Sequence, residues 1–242
     1  MRSPRLTVPG FCFLAALIAA IPADAQVARG IFVTPIPKAP FSATVRVERT
    51  NLQPDGSTLR LWSLREIARD GQGRIYNELR PLVPVSVRDV PPALVIHLYD
   101  PQNRMAEYLY PAQKTYRMMM LQRPPSTDTP EDYASPSRAA PPSDFAQKQD
   151  LGDRTIEGLQ VHGVRMTQTL PAAESGTGQD VVVTDEYWYS DDLRVNLATK
   201  HDDPRTGSVT MTVTGIRRAE PNAQMFGIPA DYAMAGLAPS AK

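Results

Sequence analysis

The side chains of this sequence that could do chemistry are three histidines, two acidic pairs, and a scatter of methionines among aromatic residues. An imidazole serves as base or ligand when a second donor or a nucleophile stands at a set spacing from it. His97, His162 and His201 stand in no H-x-H or H-E-x-x-H pattern and beside no serine motif. His97 reads as a packed strand residue and His201 as a turn residue. Asp191-Asp192 and Asp202-Asp203 are carboxylate pairs of the kind used for acid-base work or for a cation. They fall at opposite ends of one predicted strand, however, roughly 30 Å apart at about 3.3 Å per residue. Each pair reads instead as turn chemistry, with short side-chain oxygens accepting from backbone amides. There is no G-x-S-x-G or G-x-x-x-x-G-K, and Gly71-Gln72-Gly73 has no helix after it to cradle a phosphate. These patterns predict no catalytic residue, no metal site and no cofactor, hence a non-catalytic protein. A hydrolase acting through Asp191 and Asp192 is the least favoured alternative.

Binding is the chemistry left. Met105, Met118, Met119, Met120, Met166 and Met211 lie on or near predicted strands, together with Trp62, Tyr108, Tyr110, Tyr187 and Trp188. Methionine adapts to irregular apolar shapes, so such a lining suits a flexible lipid-like ligand, with an ordinary packed core as the alternative. The candidate apolar-ligand face is Met166, Val183, Tyr187, Tyr189, Leu193, Val195, Leu197, Met211 and Val213. The expected partners are a lipid or a lipoprotein, or else an envelope protein met through a threonine-rich sheet face or an open sheet edge.

The elements that must position this face are three successive strands within residues 181–218. Val181, Val183, Tyr187 and Tyr189 alternate with Val182, Thr184, Glu186 and Trp188, the period of a half-buried strand, and Asp185 is the one polar residue on the apolar side. Ser190-Asp191-Asp192 turns the chain. Leu193, Val195 and Leu197 then alternate with Arg194, Asn196 and Ala198, and Asp203-Pro204-Arg205-Thr206-Gly207 supplies the next turn. Val209, Met211 and Val213 against Thr210, Thr212 and Thr214 complete a β-meander with one apolar and one threonine-rich face.

Elsewhere, period-2 runs predict strands at 41–48, 58–70, 74–80, 94–99, 105–110 and 115–121, and a hairpin of 155–159 with 164–170. Turn signals such as Gln53-Pro54-Asp55-Gly56 separate them. The strand at 94–99 is apolar on both sides and reads as central and covered on both faces. Residues 122–148 carry six prolines among small polar residues and read as a mobile insertion, with one helical turn from Thr129-Pro130-Glu131. Residues 172–179 read as a flexible loop, 220–227 as one or two helical turns, and 236–242 as a disordered tail. The expected fold is mainly β, a single curved antiparallel sheet or half-barrel over 41–235 with one or two short helices, preceded by an extended segment at 26–40.

Arg2 and Arg5, the apolar run 11–21 and Ala23-Asp24-Ala25 read as a signal peptide cleaved after Ala25, so the mature chain is expected to be exported, periplasmic or extracellular. The run is shorter than the about 20 residues a bilayer span needs, and no stable span is expected after cleavage. Cys12, the only cysteine, lies inside it, so no disulfide or thiolate site is expected. A formal net charge of zero lacks the basic excess with which proteins meet nucleic acid or anionic membrane.

The motifs PFSATVRVERT, DGQGRIYNE, IHLYDPQNRMAEYLYP, LGDRTIEGLQVHGVRMTQT, EYWYSDDL, DDPRTGSVTMTVTGIRRAEP and MFGIPADY follow one another in that order from Pro40 to Tyr232, so the resemblance they carry spans most of the mature chain. They resemble a group of uncharacterised secreted bacterial β-rich proteins. That architecture is in turn similar to the lipoprotein-carrier-like (LolA/LolB-like) half-barrel of periplasmic lipoprotein carriers and of the sensor domain of envelope-stress regulators. The resemblance implies a half-barrel fold and, at greater distance, lipid carriage. No signature matches the carriers' helical lid.

Overall fold

Strands form where β-branched and aromatic residues alternate with polar ones. The computed structural model, which describes residues 30–121 and 146–235, joins all of them in one open, curved sheet. In chain order they are β1 (Phe41–Leu52), β2 (Thr58–Arg69), β3 (Ile75–Leu79), β4 (Val83–Pro84), β5 (Val95–Asp100), β6 (Met105–Tyr110), β7 (Thr115–Met120), β8 (Ala146–Ile156), β9 (Leu159–Leu170), β10 (Val181–Ser190), β11 (Val195–Asp203), β12 (Gly207–Arg217) and β13 (Ala233–Met234). Their order across the sheet is β13-β7-β6-β5-β3-β2-β1-β12-β11-β10-β9-β8, with β4 pairing with β2 off this path. The mainly-β expectation is met, and the meander read in residues 181–218 is β10, β11 and β12. The N-terminal strands meet this meander where β1 pairs antiparallel with β12, Val45 opposite Val213 and Val47 opposite Met211. Gly207 permits that junction: its φ is +108°, and a Cβ there would sit 1.9 Å from the Thr50 carbonyl oxygen.

Ile67 and Ala68 are consecutive on β2, so their side chains leave opposite faces, and both are fully buried. Ile67 joins a cluster with Ile31, Phe41, Val45, Leu193, Leu197 and Val213. Ala68 joins a second with Tyr76, Leu98, Leu109 and Phe226. A fully buried Ile side chain contributes about 1.5–3 kcal/mol, and on the Ile67 face it is joined by fully buried Ile31, Phe41, Val45, Leu193, Leu197 and Val213.

Several expectations are corrected. The segment read as a mere extended leader at 26–40 takes part in the core: its Ile31 is buried in the first cluster. Arg69 explains how that segment stays down. Its Nε donates to the Ala39 carbonyl at 2.8 Å, Nη1 to that of Thr34 at 2.8 Å and Nη2 to that of Leu193 at 2.9 Å, while the guanidinium lies over the Phe41 ring. Burial pushes its pKa down to about 10, with Arg194 acting in the same direction and Tyr189 opposing. The hairpin placed at 155–159 and 164–170 is longer and turns elsewhere. Glu157 and Gly158 have φ of +51° and +77°, the two positive angles of a tight two-residue hairpin turn, and β8 starts at Ala146. Residues 146–148 are therefore strand, held by ladder hydrogen bonds that need no apolar side chains; 122–145 of the expected insertion lie outside the described residues, as do the signal segment 1–25 and the tail 236–242. Strand β5 is not covered on both faces, because Leu98 alone of its residues is buried. His201 is a strand residue of β11 rather than a turn residue. The loop at 172–179 contains one helical turn, α1 (Ala172–Ser175), closed by Gly176 in the left-handed conformation.

Candidate functional site

The residues expected to form an apolar-ligand face divide into two sets. Cross-strand register brings Met166 opposite Asp185, Asp185 opposite His201, Tyr187 opposite Thr199 and Thr199 opposite Met211, so Met166, Val183, Tyr187 and Met211 do share a face. Leu193, Val195, Leu197 and Val213 are packed in the first cluster, each 1% exposed or less. Tyr189 lies beyond a β-bulge at Trp188/Tyr189. The hollow on this face, beside Asp185, Tyr187, Thr199, His201 and Val209, measures about 10 Å³, room for about one water. Asp185 and His201, absent from the sequence-based site, are in contact here, Nδ1 to Oδ1 at 2.7 Å. Among the described residues no group of His, Cys, Asp and Glu has a metal-binding arrangement.

A larger cleft, of about 260 Å³, lies in the other half of the sheet. Antiparallel pairing stacks its residues in rows across β3, β5, β6 and β7. Glu78, Ile96, Leu109 and Tyr116 form one row; Tyr76, Leu98, Glu107 and Met118 the next; Asp100, Met105 and Met120 the third. The chain after β12 lies over this face. Glu220 accepts from the Gly71 amide at 3.0 Å, Asn222 caps the 3-10 turn Ala223–Phe226 by accepting from the Gln224 amide, and Phe226 is delivered onto Tyr76, Leu98 and Leu109. Met225, Ile228 and Tyr232 extend the cover. The third row receives none, and the cleft opens there between Phe226, Leu98, Met105, Glu107 and Met118. Arg74 stacks on the Phe226 ring and is tied to Asp70 at 2.6 Å.

The cleft's two carboxyls behave differently. Burial opposes the Asp100 carboxylate, yet hydrogen bonds from Asn103 and Gln102, with the Arg74 charge, hold its pKa below the ordinary value. Glu107 is shifted upward, first by burial and then by the Asp100 charge. Deeper in the same face, burial and then the Glu78 hydrogen bond at 2.7 Å push the Tyr76 phenol upward. Besides these acids, Arg74 and Asn103, the lining is Ile75, Leu98, Tyr99, Met105, Met118 and Phe226: no serine, threonine, cysteine or histidine that could act as nucleophile or imidazole base.

No family model matches the chain, and no curated protein does. Among solved structures it is similar to an uncharacterised conserved protein of Thermus thermophilus, at 10% identity and a TM-score of 0.43 over 81% of this chain and 90% of that one. It is similar to a chain of the Pseudomonas aeruginosa MucA/MucB complex at 14% identity and a TM-score of 0.41, covering 86% of this chain and 59% of that one. A LolA superfamily protein of Nitrosomonas europaea is similar at 13% identity and a TM-score of 0.31, over 80% and 92%. Likenesses this loose assign the chain neither a family nor a ligand.

Proposed function

We propose that this chain is an exported, non-catalytic binder of an apolar ligand, and that the ligand enters the cleft between β5, β6, β7 and Phe226. The observation that carries this reading is the cleft's apolar walls, Leu98, Met105, Met118 and Phe226, with Arg74, Asp100, Asn103 and Glu107 as the polar groups beside them. A dry apolar cavity of about 150 Å³ accepts benzene, so about 260 Å³ suits a small ring with a tail, or part of an acyl chain. About six buried methylenes contribute roughly 5 kcal/mol before ordering costs, which limits a lone acyl segment to an affinity of about 0.1–1 mM. Export rests on the signal pattern of residues 1–25.

The experiment is a titration of the chain from residue 26 onward with a fluorescent octanoyl probe. Met118→Asp puts a charge at a partly exposed position on the cleft wall and is expected to weaken the probe about tenfold or more, since a charge replaces an apolar contact. Met211→Asp, checked for folding by circular dichroism, tests the face of Met166, Val183, Tyr187 and Met211. Loss there with Met118→Asp unaffected moves the ligand to the meander. No binding by the parent removes the apolar-ligand reading.

A second reading, an envelope protein-interaction module, is favoured by one feature. Leu79, Val85, Val87, Val90 and Leu94 are exposed along the connection from β3 to β5. In that case the protein should emerge free of extractable lipid and crosslink to a protein partner through this connection.

A further inference from the structure

The uncovered third row is rich in sulfur. Met105 on β6 stands directly opposite Met120 on β7, and Met118 lies two residues along β7 on the same face. Directly opposed residues have Cβ atoms about 4.5–5.5 Å apart, and residues two apart on a strand are about 6.6–7 Å apart. Three flexible side chains at those spacings can bring their sulfur atoms to one point. Met105 and Met118 already line one cleft. Met118 and Met120 are 43% and 71% exposed, so they fill no core, and they lie on β7 past Thr115 and Tyr116, where its pairing with β13 ends and apolar side chains on an open edge are ordinarily a pairing hazard. Two carboxylates adjoin them, Asp100 opposite Met105 and Glu107 opposite Met118, while Arg74 lines the same cleft and the Arg104 guanidinium donates to the Leu121 carbonyl beside Met120.

We propose that Met105, Met118 and Met120 form a three-thioether site for a soft monovalent cation, Cu(I) or Ag(I). Thioethers select such ions over Mg²⁺, Ca²⁺ or Zn²⁺, which prefer oxygen, imidazole or thiolate ligands. Three neutral sulfurs leave the ion its positive charge, and the Asp100 and Glu107 carboxylates at the adjoining positions stabilise that charge. The ion binds and leaves in one oxidation state, so no electron donor or acceptor enters the step. The site goes beyond the apolar-ligand reading and does not depend on it.

Ag(I), which does not change oxidation state, is the probe. The chain from residue 26 onward, labelled with ¹³C at its methionine methyl groups, is titrated with Ag(I) and followed by NMR and calorimetry. The expected result is one Ag(I) per chain, with the Met105, Met118 and Met120 methyl signals shifted. The Met119 signal should stay in place, because that residue projects from the opposite face of β7. Met120→Leu keeps the side-chain volume and should weaken Ag(I) about tenfold or more, and Leu at all three positions should abolish binding. Anaerobic Cu(I) competition against a chelator should give the same order. A Leu triple variant that melts like the parent yet binds Ag(I) with parental affinity, or shifts spread evenly over all the methionines, would overturn the site. Phe226→Ala separates the two readings: it should weaken the octanoyl probe and leave Ag(I) unchanged.

Discussion

The two sides of β2 face cores built by the same sheet and closed by different means. On the Ile67 side, residues 31–39 and the loop carrying Leu193 are drawn down by Arg69, and the cluster leaves Leu193, Val195, Leu197 and Val213 with almost no exposure. On the Ala68 side the cover is the segment of Met225, Phe226, Ile228 and Tyr232, which covers Tyr76, Leu98 and Leu109 but stops short of Met105 and Met120. A curved sheet supplies one apolar surface per face, and the length of irregular chain laid on that surface decides whether the result is a core or a cleft. The Met-lined opening is what remains where cover runs out.

The sharpest test of this contrast is a pair of truncations. Leu197→Ala removes a fully buried side chain and should cost about 2–5 kcal/mol by urea denaturation, whereas Met120→Ala, on the uncovered row, should stay within about 0.5 kcal/mol. Equal losses would mean that the cleft side is packed like the other. A smaller effect is expected from Arg69→Met. It leaves the carbonyls of Thr34, Ala39 and Leu193 without their buried donor, each such loss costing about 1–3 kcal/mol before water replaces part of it. The expected net loss is about 2–3 kcal/mol, with faster hydrogen exchange confined to residues 31–40 and the loop at Leu193. Exchange that rises throughout the sheet instead would show that the clamp holds the whole fold rather than one cover.

How much of this was legible follows from where the register is local. The meander β10–β12 was readable because alternation and turn residues lie together in the chain, and so were the short hairpins of β5, β6 and β7. The Asp185–His201 contact was not. From Ser190 opposite Val195, uninterrupted pairing would put Asp185 opposite Lys200, and the bulge at Trp188 advances it to His201. The packing of Leu193, Val195 and Leu197 was equally hidden, because it depends on Ile31 and Phe41, more than a hundred residues away, and on Arg69, a charged residue that hydropathy would place outside. Met105 and Met118 are candidate lining residues by sequence alone, but the cleft they line is formed with Phe226, whose place over β5 follows from no periodic pattern.

The smallest expected effect concerns the row beside the uncovered one, where Glu107 stands opposite Met118. Glu107 has its pKa raised above the ordinary 4.5, first by burial and then by the charge of Asp100. A carboxyl whose folded-state pKa lies above its unfolded value favours folding when protonated. That contribution is fully present below the unfolded value and is lost as pH rises through the folded one. At neutral pH the parent therefore carries a small unfavourable term that Glu107→Gln lacks. The variant should be slightly more stable at pH 7, within about 0.5 kcal/mol, and the advantage should fade as pH falls toward 4. A cation among Met105, Met118 and Met120 favours the Glu107 carboxylate, so saturating Ag(I) should shrink the same advantage at pH 7 while Glu107→Gln binds Ag(I) more weakly. If chemical denaturation across this range gives parallel curves for parent and variant, with and without Ag(I), then Glu107 is solvated like any surface acid, and the row is open to water rather than poised between cover and solvent.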